Sequence, residues 1–281
     1  CLVAGRGSDE GIDLLTRAFL RPGRDAALTC PPTFGMYRVA AQIQGAALVE
    51  VPLMRESGYA LDEAAVLAAA DARVKLVFLC TPNNPTGAVI AVDAIAALAT
   101  EFPHTRFAVD EALINPFESG AMPLVKSHAN IAVLRTFSKY FGLAGYRVGY
   151  AVANPARLKS LEVVRPPFNV ALASAAAAEA VLDDHAFVDK TRQIFTDEVA
   201  YFRASLEKLS GCTVRGLYSN MVLIDLAGLT AASFVEALAK RAILVADGRS
   251  FHGLEDTQTV RISLRERAAN ERLLSAMREV L

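Results

Sequence analysis

Residues 131–150 read IAVLRTFSKYFGLAGYRVGY. The opening run, IAVLRTF (131–137), is apolar and β-branched enough to mark a strand. It stops on Ser138 and Lys139, and Arg147 follows eight positions after the lysine. An amine set at the end of a strand that reads as buried needs a reason. Four runs of the same texture precede it: AALTC (26–30), ALVEVPL (47–53), VKLVFLC (74–80) and RFAVD (106–110). Several are apolar on both faces, as strands are when a sheet is covered on both sides. Between them lie SDEGIDLLTRAFL, FGMYRVAAQIQG, LDEAAVLAAADA and AVDAIAALATEF, each with apolar residues three and four apart. This alternation predicts an α/β fold with a mostly parallel, doubly wound sheet.

The texture changes after Asn154-Pro155. A helical stretch leads through RPPFN, an alanine-rich run and a long amphipathic segment to about Leu209. Strand-like CTVRGLYSNMVLIDL, a helix near Ala231–Lys240, the strands AILVAD and TVRISL, and a terminal helix follow. The expected organisation is a large domain over 1–160 and a smaller α+β C-terminal domain over 161–281 that includes the connecting helix. The alanine-rich run VALASAAAAEAVL (170–182) reads as a buried helix; it is interrupted by Glu179 and falls short of the roughly 18 to 20 apolar residues that a bilayer crossing needs.

Among 281 residues, 29 Lys and Arg face 30 Asp and Glu, so the charge balance asks for neither nucleic acid nor an anionic membrane as partner. Cys1, Cys30, Cys80 and Cys212 are scattered, without a CxxC pair or a histidine cluster, which suggests no metal site and no disulfide framework. A reducing cytoplasm is the expected location. The chain opens on Cys1, with neither an initiator methionine nor a secretory leader, and residues upstream of it are expected.

In open α/β sheets, ligands gather at the carboxyl ends of the strands. Here VKLVFLC runs into Thr81-Pro82-Asn83-Asn84-Pro85-Thr86-Gly87, RFAV into Asp110-Glu111, and IAVLRTF into Ser138-Lys139. Parallel strands bring that amide, carboxylate and amine to one rim. GRGSDEG (5–11) places small residues before a helix, whose free N–H groups and dipole favour an anion. Singly, each signal has an ordinary reading. A lysine after a strand is usually a solvated charge, and Asp110 could cap a helix. The Gly5, Gly7, Gly11 spacing misses the dinucleotide fingerprint GxGxxG by one residue, although a nicotinamide-dependent oxidoreductase stays open on it. Together, the signals match pyridoxal 5'-phosphate. Its aldehyde condenses with a lysine amine, its ring nitrogen stays protonated opposite a carboxylate, and its phosphate suits a helix start with an arginine. Lys139 can supply the amine, Asp110 the carboxylate, Ser8 and Asp9 the helix start, and Ser138 and Arg147 further phosphate donors.

TPNNPTG, VDEA and TFSKYFGLAGYRVGY, in this order, resemble the fold-type-I aminotransferases. GRGSDEGIDLLTRAF, CPPTFGMY, LVEVPL and VRIS followed by NERLL are similar to the histidinol-phosphate aminotransferase family, over nearly the whole chain. That resemblance implies an exchange of the amino group between glutamate and a keto acceptor, imidazole acetol phosphate, in histidine synthesis. It further implies a homodimer with a shared active site and a two-stage, ping-pong reaction. Lys139 would hold the cofactor and shuttle the proton, while Asp110 would pair with the ring nitrogen. Asn84 would donate to the ring's phenolic oxygen, and Phe34, in a slot usually held by tyrosine, would stack on the ring. Gly7, Ser8, Asp9, Ser138 and Arg147 would hold the phosphate. Arg261 would bind the substrate carboxylate and Asn220 would line the substrate side.

Three positions depart from that pattern. Leu113 stands where a tyrosine is usual, Ala246 where an arginine often meets the substrate phosphate, and Arg265 where a glycine is expected. Arg249, three residues after Ala246, is the available replacement for the phosphate partner. The family also carries an upstream segment that closes the site and reaches the partner subunit; it is absent here and is expected to have been omitted or to be disordered. An aromatic or other amino-acid aminotransferase, a threonine-phosphate decarboxylase and a non-catalytic binding protein of the same fold remain alternatives.

Overall fold

Two sheets organise the chain, and the computed structural model describes all of it, residues 1–281. The first half alternates as β1 (Leu2–Gly5), α1 (Ser8–Phe19), β2 (Ala26–Thr29), α2 (Met36–Ile43), β3 (Ala47–Glu50), α3 (Glu63–Ala69), β4 (Val74–Cys80), α4 (Val92–Glu101), β5 (Arg106–Asp110), α5 (Leu124–Ser127), β6 (Ile131–Thr136) and β7 (Gly149–Ala153). Three helices, α6 (Pro155–Val164), α7 (Leu172–Asp183) and α8 (His185–Leu206), lead to the second sheet. There β8 (Cys212–Tyr218), β9 (Met221–Leu226), α9 (Ala231–Ala239), β10 (Ala246–Asp247), β11 (Thr259–Ser263) and α10 (Arg267–Val280) complete the chain.

The large sheet has the order β1-β7-β6-β5-β4-β2-β3. Its pairs β2–β3, β2–β4, β4–β5 and β5–β6 are parallel. Only β7 runs against its neighbours, β1 and β6. The mostly parallel sheet is thus present, with one antiparallel strand that the sequence reading lacks. Strand β7 reads GYAVA, and its glycine and alanines carry little strand propensity of their own. Pairing on both sides holds it extended.

Side chains on β4 go alternately to opposite faces, as the two-residue period requires. Leu76 and Phe78 pack with Ile12, Leu15 and Tyr37 of α1 and α2, and with Leu158 and Leu161 of α6. Val77 and Leu79 pack with Val66 of α3 and with Ile95 and Leu98 of α4. Each such side chain, buried almost completely, contributes about 1.5–3 kcal/mol relative to an exposed one. With both faces covered, the polar ends of β4, β5 and β6 remain at the rim.

The second sheet, of order β10-β11-β9-β8, is antiparallel throughout. Phe202 of α8, Phe234 of α9 and Met277 of α10 pack against Val222, Ile224, Val260 and Ile262. The run AILVAD yields only the two residues of β10 as strand. The alanine-rich α7 differs from expectation more clearly. Only Ser174 and Ala178 of this helix are buried, and Leu172 is 86% exposed. Ala178 meets Phe137, Phe141 and Val148 along one narrow face. An alanine helix carries too little apolar surface for its composition to signal burial.

The two sheets touch where β8 crosses the turn after β4. A Cβ on Gly216 would overlap the Thr86 carbonyl, so only glycine lets these backbones meet. Arg55, ahead of α3, donates to Asp225 of β9 at 2.8 Å beside this contact. Gly216→Ala is therefore expected to cost about 1–3 kcal/mol, because added volume at a packed contact must displace backbone. Gly35→Ala, at a right-handed position with open space around it, should be close to neutral. Urea unfolding of both variants beside the parent protein checks the contrast.

Candidate active site

A cleft of about 220 Å³ opens between the carboxyl ends of β4, β5 and β6, the start of α1, and the edge of the second sheet. Its floor is Asp110, the last residue of β5, which is 2% exposed. The Tyr37 hydroxyl donates to Asp110 Oδ2 at 2.8 Å, and the Ala112 N–H donates to Oδ1 at 3.0 Å. Burial pushes the Asp110 pKa up to about 6, against the pull of those two donors. Each carboxylate oxygen has two lone pairs, so one remains on each for a further donor. Tyr37 itself is fully buried, stacked on Phe78 at 4.8 Å and edge-on to Phe34 at 5.7 Å. The sequence reading gave Phe34 a role and passed over Tyr37. The available signal was a phenol one helical turn after Phe34 on a face that is otherwise apolar.

Lys139 lies just past β6 and lines the cleft. Its flanking aromatics, Phe137 and Tyr140, are each 7% exposed, so the backbone there is packed while the lysine is exposed. No carboxylate lies within ion-pair distance of its ammonium, and none of its side-chain donors has a protein partner. Ser138 beside it has its N–H 3.1 Å from the Thr136 hydroxyl.

Arg147 reaches Ser138 Oγ at 3.3 Å, the Ala144 carbonyl at 3.0 Å and Asp9 Oδ2 at 3.1 Å. Its own backbone is left-handed, φ 54° and ψ 58°, which costs a non-glycine residue about 1–3 kcal/mol. Gly7, at φ 78°, lies against it: a Cβ there would sit 2.7 Å from Arg147 Nη2. Gly149 opposite lets the β1–α1 turn approach, since a Cβ at that position would overlap the Gly7 backbone. No side chain caps the α1 N-terminus, so its first-turn N–H groups are free for an anion beside Ser8, Asp9, Ser138 and Arg147.

The second sheet supplies the other wall. Arg261 of β11 donates from Nη1 to Asn84 Oδ1 at 2.9 Å, and its buried Nε has no partner. Burial lowers its pKa, and its guanidinium lies 5.4 Å over the Phe251 ring. Asn220 lines the cleft from the β8–β9 turn, where its carbonyl accepts from Leu264 N–H at 2.7 Å. Arg249 stands elsewhere: it does not line the cleft, and Asp247 holds it at 2.7 Å. Leu113 presents an apolar wall, while Ala246 lies opposite Arg261 in the β10–β11 ladder.

One ion pair behind the cleft was not anticipated. Arg135 donates from Nε and Nη2 to Glu111 Oε2 at 2.9 and 2.7 Å, with both side chains buried. Glu111 Oε1 accepts from Ala121 N–H at 2.6 Å, and Arg135 also donates to the carbonyls of Glu118 and Ser119, each at 2.9 Å. This network ties down the loop that follows Asp110. Charge-assisted bonds on every side make it a buried pair whose polar atoms are satisfied.

The donor set fits pyridoxal 5'-phosphate. A buried carboxylate with spare lone pairs suits a protonated ring nitrogen, an unpaired amine suits the aldehyde, and the uncapped helix start with Arg147 suits the phosphate. In the cofactor-free protein, Asp110 keeps its proton to about pH 6, whereas the unfolded chain releases it near 3.8. The stability linked to this group is therefore whole below the unfolded value and is lost as pH rises through 6, amounting to about 3 kcal/mol at neutral pH. Asp110→Asn removes that loss. Between pH 4 and 7 its unfolding free energy should gain about 2 kcal/mol on that of the parent, measured by urea unfolding of both cofactor-free proteins. A pH-independent gap would contradict the burial of the carboxylate.

The sequence pattern that defines the aminotransferase class I and II family matches residues 2–277. Histidinol-phosphate aminotransferase from Symbiobacterium thermophilum is 40% identical over 284 residues, covering 99% of this chain and 76% of the relative. The enzyme of that name from Methanopyrus kandleri is 36% identical over 282 residues, covering 100% of this chain and 71% of the relative. Among solved structures, histidinol-phosphate aminotransferase from Sinorhizobium meliloti, in complex with pyridoxal-5'-phosphate, superposes with a TM-score of 0.87 at 25% identity, covering 99% of this chain and 76% of that one. With a match spanning both sheets and the whole of the cleft, the chain belongs to the class I and II aminotransferase family.

Proposed function

We propose that the chain is a pyridoxal-phosphate aminotransferase that moves an amino group between glutamate and imidazole acetol phosphate, the histidinol-phosphate step of histidine synthesis. The observation that carries this reading is the unpaired Lys139 amine in the same cleft as buried Asp110 and Arg261. When bound, the cofactor supplies an aldehyde for the amine and an electron-poor ring that stabilises negative charge at the substrate carbon. Lys139 would carry the proton between that carbon and the cofactor's aldehyde carbon. Asp110, facing a cation, gives up its own proton and stays ionised, since an opposite charge favours the charged form. Tyr37 and the Ala112 N–H keep its carboxylate oriented.

On the substrate side, Arg261 presents a fork suited to a carboxylate or a phosphate. Glutamate brings the first and histidinol phosphate the second, so Arg261 serves both half-reactions, with Asn220 beside it. Phe34 and Asn84 line the same cleft; Phe34 would wall the cofactor ring and the Asn84 amide would donate to the ring's oxygen. Leu113 adds no hydrogen bond where a tyrosine is usual, a loss worth about 1 kcal/mol. A homodimer, a cytoplasmic location and a division of the chain into a cofactor unit of residues 1–160 and a smaller unit of 161–281 belong to the same proposal. No helix is long and apolar enough to cross a membrane.

The test is a substrate panel on the purified protein with added cofactor. Glutamate and histidinol phosphate should each bleach the yellow chromophore, with no release of carbon dioxide, while other phosphorylated amines should react more slowly. Lys139→Ala should lower turnover by at least about a hundredfold. Arg261→Gln should raise KM for both substrates. Equal rates with amines that carry no anionic group would refute the substrate assignment, and carbon dioxide release would make the chain a decarboxylase.

A further inference from the structure

At the amino ends of β4 and β5, across the sheet from the catalytic cleft, lies a second concave site. Arg17 at the end of α1, Arg21 just after it, Lys75 of β4, His104 ahead of β5 and Arg106 at its start line a cleft of about 310 Å³, with Asp25 as its one carboxylate. That carboxylate is already taken, because Asp25 accepts from Arg21 Nε and Nη2 at 2.8 and 2.9 Å. Arg17 is paired with Asp13 at 3.1 Å. Lys75, His104 and Arg106 have no ion-pair partner.

Arg106 is the informative residue. Its Nε and Nη1 are buried without any acceptor, and its guanidinium lies 5.6 Å over the Phe19 ring. Burial, and after it the positive charge of Arg157 on α6, pushes its pKa down. A half-buried cation among like charges, with two unused donors, weakens the fold where a neutral side chain would not. An anion seated between Arg106 and Lys75 offsets the repulsion among these cations and the burial of the guanidinium charge. It would receive an N–H bond from Arg106 Nη2 and a point charge from the Lys75 ammonium, donors that suit phosphoryl oxygens.

We propose that this pocket binds a small phosphorylated anion, at a site separate from the catalytic cleft. The proposal does not depend on the aminotransferase reading. The cleft's volume is enough for a diphosphate or a sugar phosphate. Arg106 and Asp110 are the two ends of the five-residue strand β5, which separates this pocket from the catalytic carboxylate by about 13 Å.

The test is a calorimetric titration of inorganic pyrophosphate into the holoenzyme carrying Arg261→Gln, which removes the free cation of the substrate side. One saturable site is expected at physiological ionic strength. Adding Lys75→Gln or Arg106→Gln should weaken it at least tenfold, while Lys240→Gln, just past the end of α9 and outside the pocket lining, should leave it unchanged. Citrate, matched for charge, should bind more weakly than pyrophosphate. An affinity that neither Lys75→Gln nor Arg106→Gln alters, or that Lys240→Gln lowers as much, overturns the proposal. Tighter binding of citrate overturns the phosphoryl assignment. If Arg106→Gln does not fold, Lys75→Gln decides the matter alone.

Discussion

A carboxylate held out of water at the end of a strand is the constraint from which the rest of the molecule follows. Asp110 is buried to 2% exposure, and in water it would titrate far more easily than it does here. Its place requires β4 and β6 as neighbours on either side, with their own polar ends at the same rim. It requires Tyr37 to be delivered beneath it by α2, and that in turn requires the packing of Tyr37 on Phe78. A sheet covered on both faces meets these demands because its core fixes the strand ends while its rim stays open. Glu111 and Arg135 then stop the chain just beyond Asp110 from relaxing toward solvent.

Much of this was legible in the residues. Strands β4 and β5 match the runs VKLVFLC and RFAVD to the residue, because long apolar runs bounded by turn residues leave little choice. The Lys139 segment and the turn after β4 meet in space as parallel strands require. Other features were hidden for identifiable reasons. Strand β7 has weak intrinsic preference and exists through its neighbours. Tyr37 and the Arg135–Glu111 pair act on partners 73 and 24 positions away in the chain, and no local pattern announces such bonds. Arg249 could be proposed from chain proximity alone, yet Asp247, two residues before it, captures its guanidinium. The exposure of α7 escaped notice because alanine favours a helix without favouring burial.

The cleft joins parts that fold from distant stretches of chain. Arg261 on the second sheet donates to Asn84 in the turn after β4 of the first, and Gly216 permits backbone approach to the same turn. The Arg261 wall of the cleft is thereby set by how the two sheets meet, while the floor is set within one of them. Changes to β8 or β11 can therefore reshape that wall while leaving Asp110 and Tyr37 undisturbed.

Arg147 carries a lesson of its own. Its peptide adopts a geometry that glycine would accept freely, yet the side chain is the guanidinium that lies between Ser138 and Asp9. Backbone ease and charge thus make opposite demands on one position. Replacing it with glycine would relax the main chain and empty the cup of its cation; replacing it with lysine would retain a charge, keep the tension and lose the forked geometry. No single substitution satisfies both, so the charge of the proposed anion cup and the comfort of the turn beneath it cannot be improved independently.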